Sequence, residues 1–120
     1  MKITELALEF MLECAKGAHP REFIGLLRAE KGVITETLLF PGSKFNRSSS
    51  SLLFDMVPPD PSIVGSVHSH PSEPIPSKAD LEFFRRTGRI HLIIGYPYTA
   101  ATVAAYDAFG KPTTLELVKG

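Results

Sequence analysis

Apolar positions at the start of the chain recur at threes and fours: Ile3, Leu6, Ala7, Phe10, Met11 and Cys14. That period predicts a helix over residues 4–17, with these side chains inward and Glu5, Glu9 and Glu13 as a solvated stripe. Thr4 is the expected N-cap, and Gly17 the residue that ends the helix in the left-handed conformation. His19-Pro20 then turns the chain, and apolar residues crowd into short runs instead. Residues 22–28 and 33–40 read as two strands joined through Ala29-Glu30-Lys31-Gly32, a hairpin signal. Residues 41–61 are the least regular part, with a loop at Ser48 to Ser51 and a short apolar run, 52–57, that suits a strand. Residues 63–67 form a buried strand. Residues 78–86 predict a second helix, with Leu81, Phe83 and Phe84 packing and Arg85-Arg86 at its dipole-favoured end before Thr87-Gly88. Dense apolar residues 90–95, then 101–106 and 113–118, complete the strands, the last two separated by a turn at 107–110. The order of helix, strands, helix, strands predicts a mixed α/β layer structure, one domain over residues 1–120.

Composition narrows this picture. Lys plus Arg and Asp plus Glu are 13 each, so no net field favours nucleic acid or an anionic membrane. No apolar run is long enough to span a bilayer, and the early glutamates interrupt any signal peptide. Cys14 is the single cysteine, which excludes an internal disulfide and suits a reducing compartment, the cytoplasm. Its place on the apolar face makes it a core residue rather than a reactive thiol.

Candidate chemistry gathers at His68-Ser69-His70-Pro71 and Ser77-Lys78-Ala79-Asp80. If the strand persists to residue 70, alternation puts both imidazoles on one face and turns Ser69 away as a structural residue. Pro71, lacking a backbone donor, should end the strand. Asp80 falls in the first turn of the next helix. Neutral imidazoles with a carboxylate suit zinc, and three protein ligands leave a fourth position open, as catalytic sites require. Each part also has a plainer account. His-x-His pairs commonly decorate strands, and Ser77 with Asp80 approximates a capping box. His19 reads as a loop histidine and His91 as a core histidine. Glu22, a strand-end glutamate, has no local mark of catalysis.

Together, Glu22, His68-Ser69-His70-Pro71 and Ser77-x-x-Asp80 resemble the JAMM (MPN+) metalloprotease signature, Glu, His-Ser/Thr-His-Pro, Ser-x-x-Asp. The likeness is closest to short, stand-alone archaeal and bacterial members and runs over nearly the whole chain. One departure bears on the placing of Ser77: the family commonly has seven residues between the second His and the Ser, and Pro71 to Pro76 supplies six. The resemblance implies a curved mixed β-sheet flanked by helices, of the cytidine deaminase-like group. It implies one Zn2+ per chain held by His68, His70 and Asp80, with Glu22 as general base and Ser77 as oxyanion donor. The implied reaction is hydrolysis of the amide bond after the C-terminal Gly-Gly of a ubiquitin-like modifier or sulfur carrier, with insertions near residues 41–61 holding the tail. Two rivals stay open, a zinc hydrolase of a small amide and a non-catalytic scaffold. A deaminase is disfavoured, because His-x-Glu and Pro-Cys-x-x-Cys are missing. The sequence admits a homodimer without requiring one.

Overall fold

The computed structural model describes residues 1–39 and 60–120. The expected loop at 48–51 and strand at 52–57 lie outside them. Among the described residues, eight strands form one mixed sheet in the order β7-β6-β5-β4-β2-β3-β1-β8. They are β1 (Lys2–Thr4), β2 (Ile24–Glu30), β3 (Val33–Leu39), β4 (Ile63–His70), β5 (Ile90–Gly95), β6 (Val103–Asp107), β7 (Pro112–Thr113) and β8 (Glu116–Val118). Helix α1 (Glu5–Ala18) follows β1, helix α2 (Lys78–Thr87) precedes β5, and a 3-10 turn (Ala100–Thr102) leads into β6. Pairing is parallel for β4 with β5 and for β1 with β3 and β8, and antiparallel elsewhere. The register slips at Leu27/Arg28 against β4 and at Arg28/Ala29 against β3. An extra residue on one strand bends it and increases local twist, so these bulges curl the sheet around its centre. The result is a curled half-barrel with, among the described residues, two α-helices.

Alternation along β5 assigns the two faces. Ile90, Leu92 and Ile94 join Ile3, Ala7, Met11 and Ala15 in the core beneath α1. Ile93 packs instead with Phe83, Phe84 and Tyr106 beneath α2. Helix α1 begins where Thr4 accepts a hydrogen bond from the Ala7 amide at 3.1 Å, the expected cap. Its buried stripe is Ala7, Met11 and Ala15, so Leu6 and Phe10 lie outside, 67% and 46% exposed. Small Ala7 and Ala15 let the helix sit close to the sheet, and that rotation turns Leu6 and Phe10 out. Gly17 does not end the helix, which continues through Ala18 to a cap at His19. Cys14 is half-buried, and burial, then Glu13, raises its thiol pKa, so nothing activates it.

Other boundaries moved for local reasons. The hairpin turns on Lys31 and Gly32 alone, both left-handed (φ 51° and 79°) as a two-residue turn matching strand twist requires. Residues 29 and 30 are therefore in β2. Glu22 precedes β2 rather than opening it. The strand expected over 113–118 divides into β7 and β8, at opposite edges of the sheet. Residues 101 and 102 belong to the 3-10 turn. On α2, Phe83 and Phe84 are buried as expected, whereas Leu81 is 37% exposed. Among the described residues no helix is long and apolar enough to cross a membrane.

Candidate metal centre

β4 continues through His70 before Pro71 ends it, so both imidazoles emerge at one strand end on the face toward α2. The His68 ring lies 4.9 Å from that of His70 and 6.3 Å from that of Phe84. Ser69 points away from them: its Oγ accepts from the Phe23 amide at 2.9 Å, and its own amide donates to the Phe23 carbonyl at 3.1 Å. Helix α2 brings up Asp80, which is 1% exposed. Its Oδ1 lies 3.2 Å from His68 Nε2 and its Oδ2 3.2 Å from His70 Nε2. The two Nε2 atoms are 3.1 Å apart.

The capping box and the convergence on the histidines coexist. Asp80 Oδ2 accepts from the Ser77 amide at 2.8 Å, while Ser77 Oγ accepts from the Asp80 amide at 3.1 Å. The cap fixes the rotamer that presents the carboxylate to both rings. The shortened loop therefore leaves Ser77 at the helix N-cap, one hydrogen bond from Asp80 and exposed. Glu22, on the irregular segment before β2, is exposed, and its carboxylate oxygen comes within 4.8 Å of ligand atoms of both histidines. All five expected site residues thus gather around one strand end and one helix start.

Residues that sequence patterns did not flag complete the surroundings. His70 Nδ1 faces the Glu73 carbonyl at 3.3 Å, a partner that favours a proton on Nδ1 and leaves the Nε2 lone pair directed at the centre. A backbone carbonyl leaves no trace in composition. The loop carrying it packs onto Gly95, where a Cβ would lie 2.6 Å from Pro74 Cδ and 2.8 Å from the Ser72 carbonyl oxygen. The Tyr96 amide donates to that oxygen at 3.0 Å and the Tyr106 hydroxyl to the Pro74 carbonyl at 2.7 Å. His19 Nδ1 and the Tyr98 hydroxyl lie 2.6 Å apart. His91 takes no part in the cluster. It is fully buried, stacked on Phe84 at 4.3 Å, with Ser66 Oγ at Nδ1 and the Gly88 carbonyl at Nε2.

Electrostatics agree with a cation-binding centre. Burial alone would raise the Asp80 carboxyl, but hydrogen bonds from His68 and His70 more than reverse it and hold it well below the usual carboxylate range. The hydrogen bond to Asp80 pushes His70 up against the effect of burial. Two ring nitrogens and a carboxylate facing one point repel unless a proton or a metal ion lies among them. Zinc with ligands at about 2.0–2.1 Å in a tetrahedron separates its donor atoms by roughly 3.3–3.4 Å. The two Nε2 atoms, 3.1 Å apart, come close to that spacing, and each lies 3.2 Å from one oxygen of the Asp80 carboxylate. The donor set fits zinc, and His68, His70 and Glu22 also lie close enough together to hold a metal ion.

A candidate single-metal site of imidazole and carboxylate, at the end of a parallel-paired strand in a curled mixed sheet, is the class defined by this fold and site. The profile of the Prok-JAB family, prokaryotic homologs of the JAB domain, matches residues 5–108. A probable metalloprotease of Haloferax volcanii is 39% identical over 123 residues, covering 93% of this chain and 76% of that protein. A JAB1/MPN domain protein from Archaeoglobus fulgidus superposes with a TM-score of 0.81 at 38% identity, over 99% of this chain and 100% of that one. A structure described as JAMM, a metalloprotease-like zinc site in the proteasome and signalosome, gives 0.80 at 37%, over 99% and 98%. The chain belongs to the Prok-JAB family, within the JAMM/MPN metalloprotease-like proteins.

Proposed function

We propose that this metallopeptidase hydrolyses the amide bond that follows the C-terminal Gly-Gly of a ubiquitin-like protein, acting as an isopeptidase or processing protease. The single observation carrying the catalytic reading is the convergence of His68 Nε2 and His70 Nε2, 3.1 Å apart, on the buried Asp80 carboxylate, each 3.2 Å from one of its two oxygens. It supports His68, His70 and Asp80 as ligands of one zinc. A bound zinc supplies a Lewis acid that polarises the amide carbonyl and brings the pKa of water towards about 7. Glu22, whose carboxylate lies within 4.8 Å of ligand atoms of both histidines, is assigned the role of proton acceptor, with Asp80 as the carboxylate ligand. It takes the proton of the attacking water and returns it to the departing nitrogen, a step that amides need because amines are poor leaving groups. Ser77 Oγ accepts from the Asp80 amide, so its own proton remains to be donated to the carbonyl oxygen as charge develops there. The Glu73 carbonyl keeps the His70 Nε2 lone pair toward the centre.

Gly-Gly suits a narrow approach beside a buried centre, because side chains would clash where two backbones run close. A lone, unactivated Cys14 supports action in a reducing compartment, and we assign it to the cytoplasm. The test is cleavage of a linear fusion of a ubiquitin-like protein ending in Gly-Gly, with and without chelator. Cleavage that disappears with chelator and returns with zinc is expected. Full turnover in chelator would overturn the metal mechanism, and zinc-dependent cleavage of small amides but not of the fusion would overturn the substrate.

A further inference from the structure

We propose that Ser69 and the Tyr98–His19 pair are positioning residues that hold Glu22 over the histidines, clamping its segment on both sides. The inference rests on the reading of Glu22 as proton acceptor. Glu22 lies outside regular secondary structure and is exposed, yet its carboxylate must stay within a few tenths of an ångström of a productive position. The strand ladder alone does not secure it, because β2 begins two residues later.

Downstream, Phe23 is gripped twice by Ser69. Its amide donates to Ser69 Oγ at 2.9 Å and its carbonyl accepts from the Ser69 amide at 3.1 Å. The second bond belongs to the backbone and survives any substitution. The first needs a hydroxyl at position 69. Ser69 is fully buried and sits between the two ligand histidines, so one β4 tripeptide both presents the imidazoles and anchors the residue next to the base.

Upstream, His19 Nδ1 meets the Tyr98 hydroxyl at 2.6 Å, and backbone bonds tie the His19 amide to Ala15 and the Arg21 amide to Ala18. Tyr98 is 3% exposed and holds a left-handed backbone (φ 66°), an uncommon conformation for an aromatic residue. Its amide donates to the Gly95 carbonyl at 2.8 Å. Burial first, then neighbouring Tyr96 and Glu22, raise its hydroxyl pKa, which keeps the hydroxyl neutral beside His19. The arrangement fixes the distance between the end of β5, beside the site loop, and the residues just before Glu22.

Five variants test this: Ser69→Ala, Ser69→Thr, Tyr98→Phe, Glu22→Gln and the double variant of Ser69→Ala with Glu22→Gln. Each is measured for bound zinc, for kcat and KM on the Gly-Gly fusion, and for hydrogen exchange of the Phe23 amide in metal-free protein. Ser69→Ala and Tyr98→Phe should keep stoichiometric zinc and KM while kcat falls by about ten- to a hundredfold, the scale of a small misplacement of a catalytic group. Ser69→Thr should restore most of the rate. The Phe23 amide should exchange faster in Ser69→Ala, and Ser69→Ala should add nothing to the residual rate of Glu22→Gln. Unchanged kcat in Ser69→Ala and Tyr98→Phe, beside an inactive Glu22→Gln, overturns the positioning role alone. So does a loss that tracks zinc or KM, or one that adds fully to Glu22→Gln. Wild-type turnover in Glu22→Gln instead removes the base assignment on which the inference stands.

Discussion

His91 makes the stability of the half-barrel depend on pH in a way that can be isolated from the metal ligands. The imidazole is fully buried under Phe84, and that burial lowers its pKa from 6.5 to about 4, against the pull of the Gly88 carbonyl. Below pH 6.5 the unfolded chain therefore binds more protons at this residue than the folded one, and acid favours unfolding. The stabilisation is fully present above pH 6.5 and is lost as the pH falls towards 4. A shift of that size corresponds to roughly 3 kcal/mol in total, of which about 2 kcal/mol disappears between pH 7 and pH 5. The perturbation is His91→Phe, which keeps an aromatic ring against Phe84 but removes the titrating group. At pH 7 the variant should be less stable by about 1–3 kcal/mol, since Ser66 Oγ and the Gly88 carbonyl lose their partners. By pH 5 the gap should narrow by about 2 kcal/mol. Urea denaturation of both proteins in chelator, at several pH values, measures this directly. Parallel stability curves across pH 5–7 would refute the reasoning and place the protonated imidazole within the fold's tolerance.

Other expectations concern the loop and the caps. Gly95→Ala puts a methyl against Pro74 and Ser72, so the loop carrying the Glu73 carbonyl must shift; zinc affinity should fall about 10–100-fold, as for other supporting groups, with competition against a chromogenic chelator as the readout. Ser77→Ala removes a hydroxyl that caps α2 and that the proposed mechanism assigns to the reacting carbonyl, so kcat should drop about 10²–10³-fold and stability by about 1 kcal/mol; unchanged turnover would remove Ser77 from the chemistry. Thr4→Ala should cost about 1 kcal/mol in urea denaturation with activity intact, because its hydroxyl caps α1 on the far side of the sheet from the histidines.

The clustering of His68, His70 and Asp80 was legible because these residues lie on two short, regular elements. Period two carried His68 and His70 to one face, Pro71 stopped the strand, and Ser77 with Asp80 marked a helix start, all local rules. Strand β5 read correctly at both ends, since its apolar run is bounded by Arg89 and Tyr96. What escaped depends on distant parts of the chain. Nothing near Lys2–Thr4 or Glu116–Val118 signals that these short segments pair in parallel at one sheet edge. Leu6 and Phe10 fit a helical stripe as well as Met11 does, and only the sheet beneath α1 decides which stripe is inner. Glu22 illustrates the same limit: its sequence neighbours are ordinary, and its place beside the histidines follows from the β2–β4 pairing, which aligns Ile24 with His68. The Tyr98–His19 contact joins residues 79 apart and could not be read locally.

Zinc titration of metal-free wild type, Asp80→Asn and Glu22→Gln tests the central assignment most directly, because two carboxylates stand near one pair of imidazoles. One equivalent should bind tightly to wild type and to Glu22→Gln, while Asp80→Asn, which can still cap α2, should lose stoichiometric binding. Tight binding retained by Asp80→Asn and lost by Glu22→Gln would contradict the account and make Glu22 the ligand.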